Sequence, residues 1–206
     1  MFFIISIFVI CYLLGAIPFG YLIVKGFTGK NILEYGTSNI GTMNTHRATN
    51  NKYLTLLVFL ADFGKGYLSF WIGNFLASVF GVLNFTTIVI LGVAGFALVL
   101  GHNYSIFMKF KGGKGLAAGC GFMFGLNPVL ILIWCGLFLV TVGISKYMVL
   151  GQMLATIGLL LITLFINQAQ FWIVLGLGIL VILKHTPRMQ NVLNGTEPKM
   201  YYKIKN

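Results

Sequence analysis

Charged residues are scarce in this chain, and acidic residues are nearly absent. Of its 206 residues, 58% are hydrophobic and 8% are charged, with three Asp and Glu against fourteen Lys and Arg. Such a chain has too little polar side chain to give a soluble domain its surface. Runs of about 20 apolar residues can instead cross a bilayer as helices whose backbone groups bond internally. The composition excludes a soluble globular domain and predicts an all-α polytopic membrane protein.

Residues for metal binding and acid–base catalysis are also few. Cys11, Cys120 and Cys135 lie in apolar stretches without metal-ligand spacing, so we expect inert buried thiols. The three carboxylates are far apart along the chain, and a paired-carboxylate site would need the fold to bring them together. We therefore predict no metal site and no strong acid–base machinery supplied by the protein.

The basic residues separate long uncharged runs and predict the topology. Helices are predicted at about 2–24, 53–79 and 84–101, the last two joined by an uncharged turn at 81–84. Further turns are predicted at 127–128, Lys146 and 167–170. If the basic loops are cytoplasmic, the N-terminus is outside and the C-terminus is cytoplasmic.

This pattern gives about seven transmembrane helices, some of them short. Segments 116–126 and 171–183 are short for a full span and are half-helix candidates, and a five-helix arrangement would have the same orientation. The first run has no basic residue ahead of it and no convincing cleavage site, which predicts a retained helix. No long linker interrupts the chain, so a single domain over 1–206 is expected.

Two polar loops can hold an anionic ligand. Residues 35–47 are dense in hydroxyls, amides and glycine and end on a cation, so they can present N–H groups to an oxyanion; an ordinary helix-capping turn explains them equally well. Residues 101–115 combine glycines with three lysines that can neutralise a phosphate. They do not form a nucleotide P-loop, because Gly115 follows Lys114 and Met108 occupies the first glycine position. A basic membrane-surface loop is the alternative.

One ionisable pair is predicted within a helix. Asp62 and Lys65 are three residues apart, which places them on one helical face. Buried charges of this kind are costly and are usually paired or functional. The pair is either structural or contributes directly to the site, and Lys65 is therefore a substrate-binding candidate.

The separated motifs resemble one family, the bacterial acyl-phosphate-dependent glycerol-3-phosphate acyltransferases. The similarity runs nearly end to end and rests on five stretches: 12–20 (YLLGAIPFG), 36–44 (GTSNIGTMN), 62–66 (DFGKG), 101–115 (GHNYSIFMKFKGGKG) and 185–197 (HTPRMQNVLNGTE). The resemblance implies seven helices in the bacterial inner membrane and a cytoplasmic-side site. It also implies no metal or organic cofactor and no nucleic-acid partner; the oligomeric state is left open.

The implied reaction moves a fatty acyl group from acyl phosphate to the 1-hydroxyl of glycerol 3-phosphate, giving lysophosphatidic acid and phosphate. Acyl phosphate is already activated, so no protein nucleophile is needed. By position, the resemblance gives as catalytic candidates His185, His102, Arg47 and Asn39. The substrate-binding candidates are Thr37, Ser38, Asn44, Lys109, Lys111, Gly112, Gly113, Lys114, Gly115, Arg188, Asn191 and Glu197.

The chain departs from the family pattern at several positions. The usual Gly-Ser-Gly-Asn has Ser38 in place of its second glycine, and Val149 stands where a hydroxyl is usual. Arg188 and Asn191 occupy positions where Asn and Arg are expected, an apparent exchange. No histidine is followed five positions later by Asp, a pattern common in glycerolipid acyltransferases. A diverged paralogue, a transporter or channel for a small anionic solute, and a scaffold that holds anionic lipid remain as alternatives.

Overall fold

The computed structural model describes residues 2–80 and 85–199, and within these ranges the regular structure is entirely helical. The helices, in chain order, are α1 (Phe2–Ala16), α2 (Phe19–Thr28), α3 (Thr42–Thr49), α4 (Lys52–Val79), α5 (Phe85–Asn103), α6 (Leu116–Leu126), α7 (Pro128–Ser145), α8 (Met148–Ile166) and α9 (Gln168–Leu193). Short 3-10 turns occur at Ile32–Glu34 and Ile106–Met108.

Six segments of the described chain are long and apolar enough to cross a membrane, and α6 is a shorter apolar helix. The prediction of an all-α polytopic protein is confirmed, and the predicted short segment 116–126 coincides with α6. The predicted turn at 81–84 lies outside the described residues.

The prediction of a short last segment at 171–183 is wrong, because α9 has 26 residues. Its start is fixed by Asn167, whose side chain accepts a hydrogen bond from the Gln170 backbone N–H. The helix then continues past the apolar run and through Pro187. The end of an apolar run marks a change of environment and does not by itself end a helix.

The predicted first helix at 2–24 is broken between α1 and α2. Pro18 has no backbone N–H and disfavours helical geometry at the residue before it. The carbonyl groups left open at the break are bonded by one side chain of α4 and one from the segment that follows α5. Lys65 of α4 donates to Gly15 O at 2.8 Å and to Ile17 O at 2.9 Å, and Ser105 Oγ donates to Ala16 O.

Helix α5 is the centre of the fold and packs against α1, α4 and α9, while α4 also packs against α6. Two of these contacts bring backbones together at glycines. A Cβ atom on Gly15 or Gly101 would overlap the backbone oxygen of Leu98 or Tyr12 across the α1–α5 contact. Across the α4–α6 contact, a Cβ atom on Gly66 would overlap the backbone oxygen of Ala118, and one on Gly121 would overlap that of Phe63. Small residues permit this approach in membrane helices.

Two glycines of α4 make a matched test of this packing. Gly66→Ala is expected to destabilise the protein by about 1–3 kcal/mol or more, because the new methyl group meets the Ala118 carbonyl and forces α4 and α6 apart. Gly64→Ala, where a Cβ meets nothing within 4 Å, should be neutral or slightly stabilising. Thermal unfolding in one detergent measures both. Equal melting temperatures for the two variants would contradict the close backbone contact.

Candidate active site

A cavity of about 280 Å³ opens where the polar segment 37–47 meets α4 to α9. Its polar lining comes from that segment, from the chain leading into α6 and from polar side chains of α4, α5, α8 and α9, and its apolar lining comes from α4, α6, α7 and α8. The predicted site residues that line it are Thr37, Asn39, Asn44, Arg47, His102, Lys114, Gly115, His185 and Arg188. The two predicted polar loops and the last motif are therefore brought together at one place.

Asn44 organises the polar segment from its centre. The side chain is buried, accepts a hydrogen bond from Thr37 N at 2.8 Å, and donates to Ile32 O at 3.0 Å and Asn39 O at 2.7 Å. Asn39 in turn donates to Thr37 Oγ1 at 2.7 Å. Ser38 has a positive φ of 48° and is exposed, so the hydroxyl that replaces the usual glycine occupies a left-handed position outside the cavity.

The three lysines of the second loop have different positions. Lys114 lines the cavity, whereas Lys109 and Lys111 are exposed on the surface. The chain turns sharply between them because Lys109 and Phe110 are both left-handed, with φ of 52° and 61°. Of the three ammonium groups, that of Lys114 is the one placed to meet a ligand in the cavity.

Gly112 and Gly113 do not line the cavity; they pack against the end of α5. Gly113 N donates to His102 O at 2.9 Å. A Cβ on Gly112 would overlap that same carbonyl oxygen, and one on Gly113 would overlap His102 Nε2. These glycines are needed for close approach to His102, and through it they fix the course of the loop that carries Lys114.

The last motif contributes an arginine held by a carboxylate. Arg188 Nε donates to Glu197 Oε2 at 3.2 Å, and its Nη2 bonds Glu197 Oε1. Glu197 is buried and lies outside the cavity lining, while Asn191 is exposed and its backbone oxygen accepts from Thr196 N and Glu197 N. The apparent exchange therefore does not place both groups in one pocket: Arg188 enters the cavity and Asn191 does not. Val149 is buried and also lies outside the lining.

Lys65 is likewise absent from the lining. Its ammonium makes three contacts, with Asp62 Oδ1 at 2.9 Å and with the carbonyl oxygens of Gly15 and Ile17. These contacts hold the buried ammonium inside the protein and away from the cavity. Asp62, the other member of the pair for which a direct contribution to the site was one of the two alternatives, does line the cavity.

His185 presents a free ring nitrogen. Its Nδ1 lies 2.7 Å from Val181 O, and because a carbonyl oxygen only accepts, Nδ1 carries the proton. In the neutral imidazole Nε2 then has a lone pair. Nε2 is buried and has no hydrogen-bond partner among the described residues. The imidazole can therefore take a proton from a ligand in the cavity.

The apolar wall was not identified from the sequence. It includes Phe59, Leu116, Met148 and a stacked pair, Trp134 and Phe138, whose ring centroids are 5.2 Å apart. A smaller apolar cavity of about 50 Å³ adjoins it, shares Trp134 and Leu116 with it, and is lined further by residues of α8 and α9. Nothing in the sequence distinguishes these side chains from the other apolar residues of the membrane helices.

Electrostatic repulsion and burial act together on Lys114. Burial is the largest cause, and the charges of Arg188, Arg47 and Lys184 add to it, so that the pKa of Lys114 falls to about 7; Glu197 opposes the change. Burial likewise lowers the pKa of Arg47, whose guanidinium nevertheless stays charged. An anion in this cavity meets permanent positive charge at the arginines and a titrating charge at Lys114.

Anion affinity is therefore expected to fall as the pH rises through 7. Above its pKa the free Lys114 side chain is neutral, so binding an anion requires proton uptake. Sulfate, which does not titrate in this range, should bind roughly tenfold more weakly per pH unit above pH 7. Lys114→Arg should remove the dependence, because arginine stays protonated. Calorimetric titration between pH 6 and 9 measures it, and a flat wild-type profile would contradict it.

Comparison with known proteins gives consistent matches along nearly the whole chain. The profile described as Glycerol-3-phosphate acyltransferase matches residues 5–195. The glycerol-3-phosphate acyltransferase of Macrococcus caseolyticus is 34% identical over 94% of this chain and 95% of its own length. That of Thermosipho melanesiensis is 38% identical over 91% of this chain and 88% of its own.

Solved structures agree with this assignment. The crystal structure of PlsY (YgiH), an integral membrane glycerol 3-phosphate acyltransferase, in its glycerol 3-phosphate form has a TM-score of 0.81 and 30% identity to this chain. The similarity covers 95% of this chain and 94% of that one. The lysophosphatidic acid form has a TM-score of 0.80 at the same coverage. With a family profile matched over residues 5–195 and relatives above 30% identity over more than nine tenths of its length, the chain belongs to the glycerol-3-phosphate acyltransferase family.

Proposed function

We propose that this enzyme transfers a fatty acyl group from acyl phosphate to the 1-hydroxyl of glycerol 3-phosphate. The observation that carries the proposal is the cavity itself, in which Arg47, Lys114 and Arg188 share a space with an apolar wall. Cationic groups bind phosphates, and the wall suits a hydrocarbon chain. The related structures were solved in glycerol 3-phosphate and lysophosphatidic acid forms, which match the proposed acceptor and product.

The proposed reaction needs little from the protein beyond alignment and charge. The hydroxyl oxygen of glycerol 3-phosphate attacks the acyl carbonyl carbon, the bond from that carbon to the phosphate oxygen breaks, and phosphate leaves with the bonding electrons. Phosphate is a good leaving group, so no covalent intermediate with the protein is required. Holding two phosphorylated substrates in contact and stabilising the developing oxyanion supplies the acceleration.

The hydroxyl proton has three candidate acceptors in this scheme: His185, His102 and a phosphate oxygen of the substrate. His185 Nε2 is favoured among the protein groups, because no described residue bonds it and its lone pair is fixed by the Nδ1 contact with Val181 O. If both His102→Ala and His185→Ala variants keep activity with an unchanged pH profile, the proton passes to the substrate phosphate instead.

The proposed setting is the inner membrane of a bacterial cell, with the cavity on the cytoplasmic side. Arg47, Lys114 and Arg188 lie in basic segments of the chain, and loops rich in Lys and Arg are typically cytoplasmic in membrane proteins. The N-terminus would then be outside and the C-terminus cytoplasmic, and residues 1–206 would form one domain that acts in the bilayer.

The activity is tested with detergent-purified protein supplied with acyl phosphate and glycerol 3-phosphate. Lysophosphatidic acid and free phosphate should form in equal amounts. Acyl thioesters should be tried in parallel, because product from them alone would replace the proposed donor while keeping the transferase. A folded sample that makes no product from either donor, yet takes up labelled glycerol 3-phosphate in proteoliposomes, would overturn the proposal in favour of transport.

Two lysine variants test where the substrates bind. Lys114→Ala removes the ammonium that lines the cavity, and its activity should fall on the order of 100-fold, as for the loss of one electrostatic donor to a transition state. Lys109→Ala removes an exposed ammonium from the same loop, and its activity should change only about twofold. Initial rates at saturating and limiting glycerol 3-phosphate measure both. Similar losses in the two variants would contradict this placement of the substrates.

A further inference from the structure

A carboxylate and an imidazole from different helices meet in the wall of the cavity. Asp62 of α4 and His102 of α5 have side chains that are 1% and 3% exposed, and Asp62 Oδ1 lies 3.5 Å from His102 Nδ1. Both residues line the cavity. The two residues are 40 positions apart in the sequence, and Asp62 precedes His102, so the pair does not fit the pattern of Asp five positions after His.

The carboxylate has a fixed position. Its Oδ1 lies 2.9 Å from Lys65 Nζ, so its charge is balanced inside the protein. Lys65 Nζ also donates to Gly15 O and Ile17 O at the break between α1 and α2. Asp62 is therefore anchored through Lys65 to a third helix and cannot turn away from His102 without breaking this set of contacts.

The Nδ1 atom of His102 has Asp62 as its acceptor among the residues that the structure describes. Within the described parts of the chain, His102 Nδ1 is buried and forms no hydrogen bond of normal geometry, so the long contact with Asp62 Oδ1 is the one acceptor in reach. On the opposite edge of the ring, Nε2 lies against Gly113, where a Cβ would overlap it. The ring is held between a carboxylate on one side and the backbone that carries Lys114 on the other.

We propose that Asp62 is a positioning residue that holds the proton of His102 on Nδ1 and leaves the Nε2 lone pair on the side of the loop at 112–114. An ionised carboxylate has no proton to donate, so a neutral imidazole that faces it with Nδ1 has to carry its proton on Nδ1. The contact therefore selects that tautomer and fixes the ring. The consequence for turnover rests on the proposed acyl transfer, whereas the tautomer itself does not.

The tautomer is tested by nitrogen NMR of the full chain in detergent, labelled with 15N-histidine. The protein has three histidines, so His46→Gln and His185→Gln variants assign the signals. Wild-type His102 should show a protonated Nδ1 and an unprotonated Nε2, and Asp62→Leu should move the proton to Nε2. A proton on Nε2 in the wild type overturns the proposal even if the Asp62 variant does not fold, and so does an unchanged spectrum in a folded variant.

Steady-state kinetics of single and double variants test whether Asp62 acts through His102. Asp62→Asn should lower kcat on the order of tenfold or more and leave the KM for glycerol 3-phosphate within about threefold. It should add nothing to the loss already caused by His102→Gln, because positioning has no effect without the ring. An equal further loss in the His102→Gln background would mean that Asp62 is only structural, and would overturn the proposal.

Ser69→Ala is the matched control. Ser69 is a buried residue of α4, as Asp62 is, and it also contacts α5. Its Oγ donates to Ala94 O at 3.3 Å, eight positions before His102. This variant should leave the His102 signals and kcat unchanged. If no variant or wild-type sample makes product, the proposed reaction fails while the NMR result still decides the role of Asp62.

Discussion

Where a helix is interrupted inside a bilayer, its carbonyl groups lose their helical hydrogen bonds, and other groups of the protein have to replace them because no water is present to do so. Pro18 creates this need between α1 and α2, and Lys65 meets it by donating to Gly15 O and Ile17 O. An ammonium in that position requires a counter-charge, which Asp62 supplies. The same carboxylate then reaches His102 in the cavity wall. One interruption of the first helix thus accounts for the buried charges of α4.

Repulsion among like charges limits how much positive charge the cavity holds. Arg47, Lys114 and Arg188 line a single space, and the Glu197 carboxylate that holds Arg188 is outside the lining. Three permanent charges so placed would repel one another. Burial and this repulsion lower the pKa of Lys114 to about 7. Without a bound anion, Lys114 is therefore partly neutral at neutral pH, which reduces the repulsion among the three groups. A phosphorylated ligand supplies the missing negative charge and returns the proton to Lys114.

Much of the fold could be read from the sequence, because apolar length and basic loops obey rules that do not depend on tertiary contacts. The short α6 was predicted on this basis, whereas the length of α9 was not, since its last turns are polar. Site residues were harder to predict. Lys109 and Lys114 belong to one basic loop, and the left-handed turn at Lys109 and Phe110 that separates them has no glycine to indicate it. The Asp62–His102 contact depends on the packing of α4 against α5, which no local spacing reveals.

The glycine contacts between helices restrict how this sequence can vary. At Gly15, Gly66, Gly101 and Gly121 the atom that an added methyl would meet is a main-chain oxygen, which every residue type carries. No second substitution on the facing helix can make room. At Gly151, by contrast, the obstacle is the side chain of Val142, and a smaller residue there would relieve it. A second substitution therefore cannot compensate for replacing any of the first four glycines. At the α7–α8 contact, by contrast, Gly151 and Val142 can be replaced together.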